Sequence, residues 1–216
     1  MLETLVDTNP CVIVRFSVMG NQLPADHGYA LYSSICKHLP TLHNSEWGKS
    51  IAVELISGRP LGQGRILLPN RGANFSLRLP SSHCGQVLPL AGKRLKIGQD
   101  QITIGIPSIQ LFSPSSNLYS RTVIIKKFTE PEGFLAAAYQ QLETLGITAQ
   151  LEIPLDEQGR FQRRVMRIRD HTVVGFSLAA HNLSDEDSLK LQTIGLGGRR
   201  HMGCGIFNPI VNLTPK

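Results

Sequence analysis

The chain has 216 residues, 41% of them apolar, with a formal net charge of +6 and a sequence pI near 9.4. Mean hydropathy close to zero, with no run approaching the roughly 18 apolar residues of a membrane span, points to a soluble globular chain. The positive balance favours an anionic partner, and Met1-Leu2-Glu3-Thr4 lacks a secretory leader pattern, so no membrane partner and a cytoplasmic location are expected.

Cys11 to Val18 is rich in β-branched and aromatic residues and reads as a central strand. Pro24-Ala25-Asp26 opens a helix, with Asp26 as N-cap and Pro40 as its stop. Leu31, Ile35 and Leu39 recur every four residues, which puts one face of that helix on a sheet. Ile51 to Ile56 reads as a strand, Ser57 to Gly64 as a loop, and Asn74 to Leu79 as a strand with one apolar face. A short helix over Cys84 to Leu90 and a strand over Gln101 to Phe112 complete the first half. Ser113 to Asn117 is polar and turn-rich, so a linker is expected between domains at 1–113 and 118–216.

The second half restarts the pattern. Tyr119 to Phe128 is strand-like, and Thr129 with Glu132 predicts a capping box for a helix through Leu145. Ala149 to Leu155 adds a strand beyond the pattern. Arg160 to Ile168 and Thr172 to Leu178 form a hairpin turning at Arg169-Asp170-His171. A helix capped by Ser184 runs to Ile194, and Ile206 to Val211 reads as a final strand. Each half approximates β-α-β-β-α-β, so the expected fold class is α+β with tandem ferredoxin-like domains.

Two segments carry the basic chemistry. Between the last helix and the last strand lie Gly195, Gly197, Gly198, Arg199, Arg200, His201, Gly203 and Gly205. Glycines at this density let backbone N–H groups approach a ligand, and adjacent guanidinium groups suit phosphate oxygens. The order helix–loop–strand excludes a dinucleotide fingerprint, and no Gly-Lys-Ser/Thr follows to make a P-loop. The second segment holds Arg160, Arg163, Arg164, Arg167 and Arg169 with no acid among them. Met166 and Ile168 face one side of the strand, Arg167 and Arg169 the other. Arginine alone suits phosphate clamping better than solubility protection.

No metal site is expected, because the chain lacks a His-x-x-x-His pair and paired cysteines; Cys11, Cys36, Cys84 and Cys204 are scattered and read as reduced thiols. No glycine-flanked nucleophile elbow occurs either. What remains is metal-free acid–base work by histidine, without a cofactor. His27 falls in the expected first helical turn, where free N–H groups favour a phosphate, with Asp26 beside it to orient the ring. Tyr29 and Tyr32 follow as hydrogen-bond donors or stacking platforms. His38 and His43, flanking the helix end, are the alternatives.

Together, "LPADHGYALYSSICKHLP", "RRVMRIRDHTVVGF" and "GLGGRRHMGCGIFNP" resemble the RAMP superfamily, specifically the CRISPR repeat-processing endoribonucleases of the short, myxan-type variety associated with type I systems. The resemblance runs across essentially the whole chain. It implies tandem ferredoxin-like domains of RAMP type and metal-free cleavage of precursor CRISPR RNA at the base of a repeat stem. It also implies 2′-hydroxyl attack leaving a 2′,3′-cyclic phosphate, continued binding to the repeat stem-loop, and association with other subunits of a type I effector complex. The family's active histidine on or beside the first helix points to His27, with Tyr29 or Tyr32 assisting; Lys37 and Lys49 are the nearest lysines. A catalytically inactive RNA-binding subunit is the alternative reading, and a scaffold or nucleotide-binding module unrelated to RNA is a third.

Overall fold

A computed structural model describes residues 9–168 and 171–210, without the side chains of Arg167 and Ile168. The expected turn residues Arg169 and Asp170, and Val211 of the expected final strand, lie outside the described residues. The chain divides into two compact units, residues 1–111 and 112–216.

The first unit runs β1 (Cys11–Met19), β2 (Gln22–Pro24), α1 (Gly28–His38), α2 (Thr41–Asn44), α3 (Glu46–Ser50), β3 (Ala52–Glu54), β4 (Arg59–Gly62), β5 (Arg65–Leu67), β6 (Asn74–Pro80), α4 (Cys84–Val87), β7 (Arg94–Ile97) and β8 (Asp100–Gln110). Its main sheet has the spatial order β3-β6-β1-β8-β7, antiparallel throughout. Apart from the added edge strand β7, this is the ferredoxin-like order. Val12, Val14, Phe16 and Val18 alternate into the core from β1, and the Phe16 and Phe75 rings stack at 5.2 Å. Leu31, Ile35 and Leu39 are all buried, as their four-residue spacing predicts.

Several boundaries differ for identifiable reasons. The N-cap position of α1 falls on His27 rather than Asp26, because Ala25 N–H is still engaged by the Gly64 carbonyl and the chain turns into the helix one residue later. The expected loop at 57–64 contains β4, which pairs with β5, and β5 with β2, as a separate three-stranded sheet. Gln63 and Gly64, both left-handed, make its two-residue turn. On β6 both faces are covered, not one: Phe75, Ser76, Leu77, Arg78 and Leu79 are all buried. Arg78 is tolerated there because its guanidinium donates to Glu54 Oε1 at 2.6 Å on the neighbouring strand β3.

The second unit runs β9 (Leu118–Val123), α5 (Pro131–Leu145), β10 (Gln150–Glu152), β11 (Arg163–Ile168), β12 (His171–His181), α6 (Asp185–Ile194) and β13 (Asn208–Pro209). The sheet order β10-β12-β9-β13 repeats the ferredoxin-like arrangement. β12 is long enough to pair with β11 along its first half and with β10 at its end. The box predicted from Thr129 does not form: Pro131 occupies the first helical turn, its ring disfavours helical dihedrals at Glu130, and Glu130 becomes the N-cap. Ser184 caps α6 as expected, accepting from Asp187 N–H at 3.1 Å. No helix among the described residues is long and apolar enough to cross a membrane.

The Arg78–Glu54 pair gives a stability prediction. Arg78→Ala should cost about 3–5 kcal/mol in urea denaturation by stranding a largely buried carboxylate, whereas the double change Arg78→Met with Glu54→Leu should recover most of that loss.

Candidate nucleic-acid interface and active site

In the second unit the glycine loop is folded tightly upon itself and the sheet. Side chains at positions 195, 197 and 205 would overlap the carbonyl oxygens of Gly205, Ile124 and Leu196 respectively, and all three glycines have positive φ. Their N–H groups are engaged internally: Gly195 with Leu191 O, Gly197 with Gln141 Oε1 and Gly205 with Thr122 O. Gly198 N–H likewise donates to Ile124 O at 2.9 Å. The glycines therefore serve close backbone packing, and their donors do not point outward as the sequence led us to expect. Gly203, at φ 87°, ends the single turn Arg200–Met202.

What the loop displays is its side chains. Arg199 and His201 are half-exposed, and Arg199 holds the left-handed conformation at φ 64°. Arg200 turns back instead, donating to Thr193 O at 2.6 Å. On β11, Arg163 and Val165 face outward while Arg164 and Met166 face the sheet. Arg164 is accordingly held by Ser177 Oγ at 3.1 Å. The Cys204 thiol donates to Met166 Sδ at 3.4 Å, which joins the glycine loop to the inner side of the basic strand. Arg160 is exposed and paired with Asp156 at 3.0 Å. Arg167 belongs to β11 by backbone only, and Arg169 lies outside the described residues.

The histidine and tyrosine candidates belong to the first unit. His27 is fully buried. Its Nδ1 donates to Pro24 O at 2.9 Å and its Nε2 accepts from Ile56 N–H at 3.1 Å. A general acid or base needs a ring nitrogen open to the reacting atoms, and here both are committed to main chain. His27 instead staples the end of β2 to the segment leaving β3. Tyr29 and Tyr32 are half-buried. Burial first, then a hydrogen bond with Cys36, pushes the Tyr32 hydroxyl up to about 12, so it stays protonated and acts as a donor at neutral pH.

The two alternatives are exposed. His38 Nε2 lies 3.2 Å from Arg94 O. The ring of His43, on α2, has no hydrogen-bond or charged partner among the described residues, while its main-chain N–H donates to Pro40 O at 3.1 Å and its neighbourhood is firmly built. Leu42 beside it is fully buried, and α3 packs so closely on α2 that a side chain at Gly48 would overlap the Leu42 carbonyl. Ser45 caps α3 by accepting from Gly48 N–H, and Trp47 on α3 stacks with His83 at 4.8 Å. Lys49 pairs with Glu46 on the surface.

One signal in the sequence went unread. Between Glu54 and Asp100 there is no acid, yet seven cations occur: Arg59, Arg65, Arg71, Arg78, Lys93, Arg94 and Lys96. The two flanking acids pair with two of them, Glu54 with Arg78 and Asp100 with Arg65 at 2.6 Å. The other five are exposed, giving the first unit a basic surface of its own.

The two strand orders define a protein of the α+β class with tandem ferredoxin-like units. The family model described as Cas6 CRISPR matches residues 12–212. The CRISPR-associated endonuclease Cas6 of Myxococcus xanthus (strain DK1622) is 40% identical over 220 residues, spanning 96% of this chain and 90% of its own. The chain belongs to the Cas6 family. A solved CRISPR associated protein Cas6 shares the fold with a TM-score of 0.66 at 13% identity, covering 93% of this chain and 100% of its own. The product of a Cas6-related gene from Pyrococcus furiosus does so with a TM-score of 0.66 at 12% identity, over 94% and 99%. A RAMP protein binding different RNA substrates gives 0.64 at 14%, over 93% and 100%.

The packing of the loop predicts that Gly205→Ala costs more than a typical surface change. Both the strained φ and the overlap with Leu196 O contribute, for an expected loss of about 2–4 kcal/mol measurable in urea melts.

Proposed function

We propose that this chain is a metal-independent endoribonuclease that cleaves precursor CRISPR RNA within the repeat, stays on the repeat stem-loop, and accompanies other subunits of a type I effector complex in the cytoplasm. Membership of the Cas6 family, with 40% identity to a CRISPR-associated endonuclease over nearly the whole chain, is the observation that carries this reading. Arg199 and Arg163, with Arg167 and Arg169, supply cationic contacts to the RNA backbone and His201 a further hydrogen-bonding group, while Arg160, Arg164, Arg200 and the glycines shape the surface that presents them.

The reaction joins the ribose 2′-oxygen to the adjacent phosphorus, breaks the bond to the 5′-oxygen, and yields a 2′,3′-cyclic phosphate and a 5′-hydroxyl. One proton leaves the 2′-hydroxyl and one reaches the departing 5′-oxygen. Exposure and an unengaged ring favour His43 over His27 for proton transfer in this reading, a contribution of roughly 10²–10⁴-fold in rate. Tyr32, protonated at neutral pH, and Tyr29 serve as hydrogen-bond donors to the phosphate or stacking platforms for a base.

Single-turnover cleavage of a cognate repeat RNA should persist in EDTA and vanish with a 2′-deoxy substitution at the scissile nucleotide. His43→Ala should slow it by roughly 10²–10⁴-fold without loss of binding. His27→Gln should instead lower the melting temperature and leave the rate per folded molecule near wild type. Full-rate cleavage by the His43 variant moves the assignment to His38; tight binding without product at enzyme excess leaves an RNA-binding subunit.

Arg199 offers a separate handle on binding. Arg199→Gly should leave stability within about 1 kcal/mol of wild type, because relieved strain offsets added chain entropy. It should weaken RNA binding and reduce the slope of log affinity against log salt by about one, read in a salt titration.

A further inference from the structure

The segment leading into β11 forms a small braced hairpin whose architecture the phosphate-contact reading does not use. Leu155 and Phe161 pair across it, and Gln162 N–H donates to Pro154 O at 2.8 Å. Asp156 organises the turn: Oδ1 accepts from Gln158 N–H at 3.0 Å and Arg160 N–H at 2.9 Å, and Oδ2 accepts from Arg160 Nε at 3.0 Å. These bonds, led by the Arg160 backbone donor, hold the Asp156 carboxyl below its usual range, so the brace is intact at neutral pH. Gln162 closes the far side by donating to Leu155 O at 3.1 Å.

This hairpin borders an open concavity of about 670 Å³, lined by Leu155, Asp156, Arg160, Phe161, Arg163 and Arg164 among others. Phe161 is 50% exposed and Leu155 53%, and neither packs against the apolar core of the second unit. A half-exposed aromatic ring among three guanidinium groups suits a nucleobase with its phosphate: the ring supplies a stacking face and arginine the counter-charge. A volume of this order holds a small-molecule-sized group. Bases within a duplex are already stacked on one another, so the occupant must be unpaired.

We propose that this concavity binds one unpaired nucleotide of the RNA, its base stacked on Phe161 and its phosphate on Arg163. Asp156 is neutralised by Arg160 and does not repel that phosphate. Glu157, on the same rim, suits a base edge carrying an amino donor. The site thereby senses where the repeat stem ends, because only there does an extruded base become available. The inference rests on the proposed RNA-binding function and adds the ligand class of one subsite to it.

The test compares the full chain with Phe161→Ala, Phe161→Leu and Phe161→Tyr, measuring fluorescence anisotropy on two RNAs: the repeat stem-loop with its unpaired flanks, and a blunt duplex of the same stem. Phe161→Ala and Phe161→Leu should weaken binding to the flanked RNA by roughly 5- to 150-fold and leave the duplex unaffected, with the salt slope unchanged because no charge is lost. Phe161→Tyr should restore wild-type affinity. Wild-type affinity of Phe161→Ala for the flanked RNA, or an equal loss on both RNAs, overturns the inference alone. Failure of the unaltered chain to bind either RNA overturns the RNA-binding function, and the inference with it.

Discussion

The architecture of the second unit turns on backbone meeting backbone at the glycine loop. Gly195 and Gly205 approach one another's strand of the loop so closely that neither position admits a Cβ, and Gly197 rests against the carbonyl of Ile124 just beyond β9. That contact lets the chain leave α6, reverse, and return as the short β13 beside β9. It also settles which side chains of the loop remain outside. Because Gly197, Gly198 and Gly205 give their N–H groups to the protein itself, what this segment offers to its surroundings is side chains, Arg199 among them. A positive φ at an arginine, where glycines surround it, marks a residue retained for its side chain at a cost to the backbone.

The first unit shows the converse economy, in which polar side chains hold main chain together. His27 does so with both ring nitrogens, joining Pro24 to Ile56 inside the core. Arg78 spans from β6 to Glu54, and Arg65 ties β5 to Asp100 at the start of β8. These are groups that a survey of residue types nominates for chemistry or for phosphate binding. Their partners and burial show that they are consumed in folding. Groups that folding leaves in solvent, such as His43 on its short, closely packed helical corner, keep their polar atoms available.

Local patterns were legible where the physics is local. The spacing of Leu31, Ile35 and Leu39 gave the buried face of α1, the alternation in Cys11 to Val18 gave β1, and Ser184 gave the start of α6. The element order of both halves gave the ferredoxin-like fold class, but in the second half the strand set aside as surplus, at 149–155, supplies β10 of the four-stranded order, and the basic strand β11 is the added one. What stayed hidden depended on partners distant in sequence. The β4–β5 hairpin has no apolar alternation to announce it, and it exists because β2 offers an edge some forty residues earlier. The alternation in β6 implied a solvated face for Arg78, whose burial depends on a carboxylate 24 positions away. For His27, position at a helix start was readable, but the backbone donor from Ile56 that closes its second nitrogen was not.

Charge distribution sharpens the contrast between the two ways a basic protein can hold RNA. On β11 the pleated alternation sends Arg163 outward and Arg164 into a hydrogen bond with the sheet, so neighbouring arginines of the basic run are not equally open to solvent. Between Glu54 and Asp100 the reverse holds. The two nearest acids neutralise two buried or half-buried arginines, and Arg59, Arg71, Lys93, Arg94 and Lys96 remain exposed with no carboxylate in the intervening sequence. Exposed, unpaired cations attract a polyanion at long range and pay no desolvation beforehand, whereas paired ones must first give up a partner. The exposed cations of the first unit therefore stay available to an anionic partner, whereas part of the arginine run in the second unit is engaged by the protein itself.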